Sequence, residues 1–243
     1  MTGGWAVELM LGGIVMVGAS VQFLTGMGFA LVAVPALVLV LGPGDGVSLS
    51  NCASGAISLI GLAGGWRRVR LTAMIPLICA SVCTVPVGAW VASRLPGPVL
   101  LSCMGALVTV LVLFVMRGGR TEALRGVRGA LTAGAAGGFM NSSAGVGGPP
   151  VSMYAVNAGW TVREFVPNAQ FYGITVNAVS IASKGLPQVG GTVWELSAVG
   201  LAVGAVIGKL LAERVPEKGA RRLVLLLALT GGVTTLTKGL SGL

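Results

Sequence analysis

Histidine is absent from this 243-residue chain, and charge is scarce: 16 Lys and Arg and 7 Asp and Glu amount to 9% of the residues. Without imidazole the commonest metal ligand and general base is missing. Cys52, Cys79, Cys83 and Cys103 lie inside apolar runs without metal-site spacing, so neither a metal centre nor a structural disulfide is expected, and no cofactor is implied. Cys79 and Cys83, four apart, share a helix face and read as small, buried apolar packers. The net charge of +9 would suit nucleic acid, but the basic residues fall in short clusters between apolar runs instead of on one polar face. They read as topology signals, and no nucleic-acid partner is expected. The amino terminus lacks the basic region of a cleaved signal, so the first apolar run reads as a permanent span.

Apolar residues make up 54% of the chain and gather into long runs. Leu71 to Ala92 is 22 residues without charge and Val99 to Met116 another 18, each able as a helix to cross about 30 Å of hydrocarbon. An all-α, multi-pass protein of a lipid bilayer follows. Placing Asp or Lys at a helix centre costs about 2.5 to 3.5 kcal/mol on insertion scales, and this chain nearly avoids doing so.

The sequence repeats. A shift of 119 residues pairs Gln22 with Asn141, Gly26 with Gly145, Gly28 with Gly147, Asn51 with Gln170 and Ser58 with Asn177. A shift of 120 brings Gly88, Arg94 and Pro96 onto Gly208, Arg214 and Pro216, one inserted residue accounting for the change. Residues 1–116 and 129–243 are thus expected to be two repeats joined by a basic connecting loop, 117–128, each with five apolar segments, the second of them short. If the clusters Trp66–Arg70, Arg117–Arg128 and Glu213–Arg222 are cytoplasmic, Leu41 to Gly46 forms an outside loop, Val47 to Ala63 runs outside-to-in and its counterpart Phe165 to Ser183 runs the other way. Inverted-topology repeats with a site at their interface near the midplane are a recurring transporter plan. Arg94 and Arg214 read as anchors at helix ends, and Gly200, Gly204 and Gly208 as a seam packing a neighbouring helix.

Each half interrupts an apolar run with a polar, glycine-rich stretch: Gln22-Phe-Leu-Thr25-Gly26-Met-Gly28, and Asn141-Ser142-Ser143-Ala-Gly145-Val-Gly147-Gly148-Pro-Pro150. Glycine admits backbone conformations closed to other residues and the prolines remove two donors, so regular helix is expected to fail in broken or re-entrant segments. Such breaks are tolerated in hydrocarbon only against protein or a water-filled cavity. Half-helix amino termini offer free N–H groups and partial positive charge, which favours an anion. A second polar set, Ser50, Asn51, Ser54 and Ser58 with Asn168, Gln170 and Asn177, can face inward or can glue helices together. The expected substrate-binding set is Gln22, Thr25, Gly26, Gly28, Asn51, Asn141, Ser142, Ser143, Gly145, Gly147, Gly148, Gln170 and Asn177. Glu195 is the candidate for coupling to a proton, against an ordinary interfacial carboxylate. Arg163 and Lys184 either draw anions to the mouths or are plain loop charges.

At these motifs the chain resembles the sulfite exporter TauE/SafE family, membrane permeases with two weakly similar halves. Gly145-Val-Gly-Gly-Pro-Pro150 after a small polar stretch is the strongest signature, and Gly26-Met-Gly28 with Pro35 a looser one. Phe29 and Ala30 stand where that family is often richer in glycine. The resemblance spans nearly the whole chain and implies a secondary transporter, exporter or permease, moving sulfite or a small inorganic or organosulfur anion such as a sulfonate across the cytoplasmic membrane. It leaves the anion, the direction, the coupling ion and a homo-oligomeric state open. Two other classes compete. Ser142 and Ser143 beside glycines imitate a nucleophile turn, but Gly-x-Ser-x-Gly is not matched and no histidine can activate them, so the chain reads as no enzyme. An anion channel or passive scaffold would also use neutral polar residues and glycine seams.

Overall fold

A computed structural model describes residues 4–117, 126–212 and 217–243. Among them all regular structure is helical: α1 (Gly4–Thr25), α2 (Phe29–Leu62), a 3-10 turn at Trp66–Arg68, α3 (Leu71–Arg94), α4 (Gly97–Met116), α5 (Gly126–Ala144), α6 (Gly148–Asn157), α7 (Val162–Lys184), α8 (Gly191–Ala212) and α9 (Glu217–Ser241). Most of the 117–128 connection, and Arg214 with Pro216, lie outside the described residues. Among the described residues five helices are long and apolar enough to cross a membrane: α1 to α4 and α8. At 1.5 Å per residue the 22 residues of α1 reach about 33 Å, whereas the 10 of α6 reach only about 15 Å, half a hydrocarbon core.

The expected loop over Leu41 to Gly46 contracts to a single residue. Only Gly42 leaves helical geometry (φ 83°, ψ 170°), and α2 resumes at Pro43. Proline suits a first helical turn because its missing N–H would go unpaired there. That missing donor also frees the carbonyl four residues back, on Leu39, and Lys238 Nζ of α9 donates to it at 2.9 Å. The elements keep the register of the sequence repeat: α1 and α5 end at Thr25 and Ala144, and α2 and α6 begin at Phe29 and Gly148, both 119 apart.

Glycines set the packing. Along α1 and α8, Gly12 meets Leu196, and Ser20 and Phe23 meet Gly208, so these helices run in the same direction. The seam expected on α8 therefore packs α1. The pair α3 and α5 does likewise, with Gly134 on Leu77 and Gly138 on Ser81. By contrast α4 and α9 run oppositely, Gly105 against Leu236 and Gly239 against Ser102. A missing side chain at each of these points lets backbones approach, the usual device where lipid offers no hydrophobic drive to association. Helices α2 and α7 also oppose each other: the Gln188 N–H beyond α7 donates to Asp45 at the start of the second part of α2 (2.8 Å), while Arg70, beyond α2, pairs with Glu164 in the first turn of α7.

The polarity is reversed relative to a water-soluble bundle. Trp5, Leu59, Ile75, Trp90, Val110, Val199 and Leu210 face outward, an apolar belt of the kind that lipid covers. Gln22, Ser50, Asn51, Ser58, Asn141, Gln170 and Asn177 are buried inside. Three of the cysteines depart from expectation: Cys79, Cys83 and Cys103 are exposed, because the faces of α3 and α4 that carry them turn toward this belt.

The Arg70–Glu164 pair is solvent-facing and so contributes little by itself. Glu164 also accepts from the Thr161 backbone N–H (2.9 Å) in a capping box that starts α7. In thermal unfolding in detergent, Arg70→Ala is expected to leave the midpoint nearly unchanged and Glu164→Ala to lower it measurably; equal shifts would show that the ion pair, rather than the cap, matters.

Candidate functional site

Two helices stop and restart in the same way. Helix α1 ends where Gly26 takes a left-handed φ of 81°, its N–H bonding back to the Gln22 carbonyl at 2.7 Å. Helix α5 ends where Gly145 takes φ 72°, its N–H bonding to the Asn141 carbonyl at 3.0 Å. Both are C-terminal glycine caps, at positions where any other residue costs about 1–2 kcal/mol. Each chain then re-enters helix within a few residues, behind Gly28 for α2 and Gly147 for α6, and neither amino terminus has a side-chain cap. The first-turn amides therefore remain available.

Between these breaks lies a cavity of about 40 Å³, room for ~3 waters. Residues from both halves line it, among them the repeat pairs Gln22/Asn141, Ser54/Gly173 and Ser58/Asn177, and among the described residues no charged side chain does. Met27 lies beside Gly148 where the two breaks pass each other. The restart of α6 is poorer in donors than that of α2, since Pro149 and Pro150 carry no N–H whereas Ala30 and Leu31 do.

Hydrogen bonds tie the cavity wall together with the same spacing in each half. Gln22 Nε2 donates to Ser58 Oγ (2.7 Å), and Asn141 Nδ2 to Asn177 Oδ1 (3.1 Å), both across 36 residues. Gln22 Nε2 also faces the Ser54 carbonyl and Gln170 Oε1, each at 3.3 Å, and Ser54 Oγ donates to Gln22 Oε1 at 3.1 Å. Asn141 Nδ2 reaches Ser180 Oγ at 2.9 Å. The position equivalent to Ser180 is Gly61, whose bare face makes room for the longer Gln170 side chain. In the other half Asn51 is too short to do for Asn141 what Gln170 does for Gln22, and its buried Nδ2 has no partner among the described residues.

Of the expected set, Gln22, Gly26, Asn141, Gly147, Gly148 and Asn177 line the cavity, and Gln170 stands one layer behind it. Gly28 and Gly145 shape the breaks without lining the space. Thr25 donates back to the Val21 carbonyl, and Ser142 and Ser143 donate to carbonyls of their own helix, at Phe139 and, for Ser142, also Gly138. Asn168 belongs elsewhere: its Oδ1 accepts from the Arg70 N–H, holding the α2–α3 connection on α7. Glu195 is exposed at the start of α8, away from the cavity. The expected set omits Ser54, Ser58, Tyr172 and Gly173 from the lining, and Ser180 behind it. The 119-residue shift that pairs Ser54 with Gly173 was the available signal; Tyr172, whose hydroxyl accepts from Ser81 Oγ at 3.0 Å, carries none.

A family model described as Sulfite exporter TauE/SafE matches residues 10–235. The chain belongs to this family. No curated protein and no solved structure matches it. Membership together with the apolar helices makes this TauE/SafE protein a multi-pass membrane protein of a transporter family rather than an enzyme family, and implies a small anion as cargo. Such a cargo suits a cavity with neutral donors and uncapped helix starts.

Proposed function

We propose that this TauE/SafE protein is a secondary transporter of the cytoplasmic membrane that moves sulfite or a small organosulfur anion by alternating access. Its site is the cavity between two inverted-topology repeats, residues 1–116 and 129–243. The observation that carries the reading is the neutral cavity bounded by two equivalent helix breaks and lined by repeat-related residues of both halves. An anion there meets helix starts and amides while no carboxylate repels it. The opposed directions of α2 and α7, with Asp45 near Gln188 and its repeat partner Glu164 near Arg70, support inversion, since equivalent helices then cross in opposite senses. On this reading α1 and α5 enter from opposite faces and turn back at their breaks into short limbs, the first part of α2 and α6, and the Trp66–Arg70 cluster marks the cytoplasmic face. Because α1 packs on α8 and α3 on α5 across the repeat boundary, the bodies that move in alternating access each draw helices from both halves, with the anion between them.

Proteoliposomes test this. Radiolabelled sulfite flux is expected to saturate, to be competed by sulfonates and to show counterflow, with the response to an imposed proton gradient reporting coupling. Flux that neither saturates nor counterflows would mean a pore instead.

A further inference from the structure

The direct donors in the cavity are not the two amides that the repeat makes conspicuous. The Ser54 carbonyl can only accept, so the end of Gln22 that faces it is Nε2, and Ser54 Oγ holds the other end. Gln22 therefore spends its donors on protein, chiefly on Ser58 Oγ, and Asn141 spends its own on Asn177 Oδ1 and Ser180 Oγ. Each bond leaves its acceptor's own proton free. Among the described residues neither the Ser58 hydroxyl nor the Asn177 Nδ2 donates a hydrogen bond, although Ser58 is 0% and Asn177 3% exposed and both line the cavity. Most other helical serines and threonines here donate to a carbonyl three or four residues back; among the described residues Ser48, Ser50, Ser180 and Ser197 are also buried without donating, but none of these four lines the cavity. The two groups converge on Gly173: a Cβ there would sit 2.7 Å from Ser58 Oγ and 3.9 Å from Asn177 Nδ2, so the missing side chain keeps the space between them open.

We infer that Ser58 and Asn177, one from each half, form a donor pair that grips two oxygens of one oxyanion head beside Gly173, and that Gln22 and Asn141 are positioning residues that aim them. The inference rests on the proposed transport of a sulfur oxyanion and names the atoms that hold it. The pair offers donors and no carboxylate, which suits a head with acceptors only, such as sulfite or a sulfonate. It also straddles the interface, so the anion touches both repeats at once.

Equilibrium binding of sulfite to the purified full chain, with sulfate, phosphate and chloride as further probes, tests it. Each donor contributes a hydrogen bond to a charged group, so Ser58→Ala is expected to weaken sulfite binding about tenfold or more. Asn177→Asp, nearly isosteric, puts an oxygen where the donor stands and is expected to weaken it more than about a hundredfold. Gln22→Met should weaken binding in the native chain but add nothing in the Ser58→Ala background; a further loss there would make Gln22 a direct ligand and overturn the assignment. Gly173→Ala fills the gap and should also lower affinity, and monodisperse elution of every variant separates loss of binding from loss of fold. Native protein that binds sulfite while Ser58→Ala and Asn177→Asp bind it equally well would defeat the donor pair and leave the transporter reading standing. Native protein that binds none of the oxyanions would defeat both.

Discussion

Asn141→Leu is expected to cut sulfite flux by about 10- to 100-fold while the protein remains folded in the membrane. Leucine has the same branched four-atom side-chain skeleton as asparagine and is favourable in hydrocarbon, so insertion is spared. Binding is not spared. Asn177 Oδ1 and Ser180 Oγ each lose the Nδ2 donor (3.1 and 2.9 Å), so the Asn177 amide is no longer aimed at the anion and a hydrogen bond to a charged group, worth about 1.5–3 kcal/mol, is lost. With tenfold per 1.4 kcal/mol the stated range follows at roughly 10- to 100-fold. Gln22→Leu removes the equivalent bond to Ser58 and the interhalf contact to Gln170, and a loss of similar size is expected. Flux in proteoliposomes, normalised to protein recovered in the vesicles, is the measurement. If both variants carry and bind sulfite as the native chain does, the cavity between the breaks is not the site.

The second large effect is on folding. Gly134→Leu is expected to abolish recovery of monodisperse protein. A Cβ at Gly134 would stand 2.9 Å from the Leu77 carbonyl carbon and 3.0 Å from its Cα, and backbone cannot swing aside as a side-chain tip can. The helices α3 and α5 would have to separate, with an overpacking cost of about 1–3 kcal/mol and loss of the contacts further along the seam. Those contacts include Ser81 Oγ with the Gly134 carbonyl (2.7 Å) and Thr84 Oγ1 with the Ala135 carbonyl (2.8 Å). Gly13→Leu is the control: nothing stands within 4 Å of a Cβ there, and it lies in the same class of helix, α1. Elution and thermal stability in detergent compare the two. Equal tolerance of both leucines would show that close approach at Gly134 is not needed.

Much of this protein can be read from residue order. The scarcity of charge and the long apolar runs lead to membrane helices, because in hydrocarbon only a helix satisfies the backbone groups of a continuous apolar run within that run. The spans at α3 and α4 lie where uncharged runs put them, and the breaks lie where glycine and proline deny regular helix. Gly42 shows the limit of such reading. Leu41-Gly-Pro-Gly-Asp-Gly46 has the composition of a loop, yet proline fits the first turn of a resumed helix and Lys238, distant in sequence, takes up the freed Leu39 carbonyl. The exposed cysteines show another: which face of α3 looks at lipid depends on where α5 packs, and spacing alone only says that Cys79 and Cys83 share a face.

By itself the sequence determined that the chain is helical, lives in a bilayer, repeats itself and breaks two helices at equivalent glycines. These follow from local properties: hydrophobicity along a run, and the backbone freedom of single residues. Only the tertiary structure decided what the polar residues do. A buried amide looks the same in sequence whether it faces a cavity or a neighbour, since its hydrogen-bond partners are 36 or 148 residues away. Those partners turn Gln22 and Asn141 toward protein, leave Ser58 and Asn177 with free donors, retire Ser142 and Ser143 to their own helix, and bring Gly173 into the one space where its missing side chain counts.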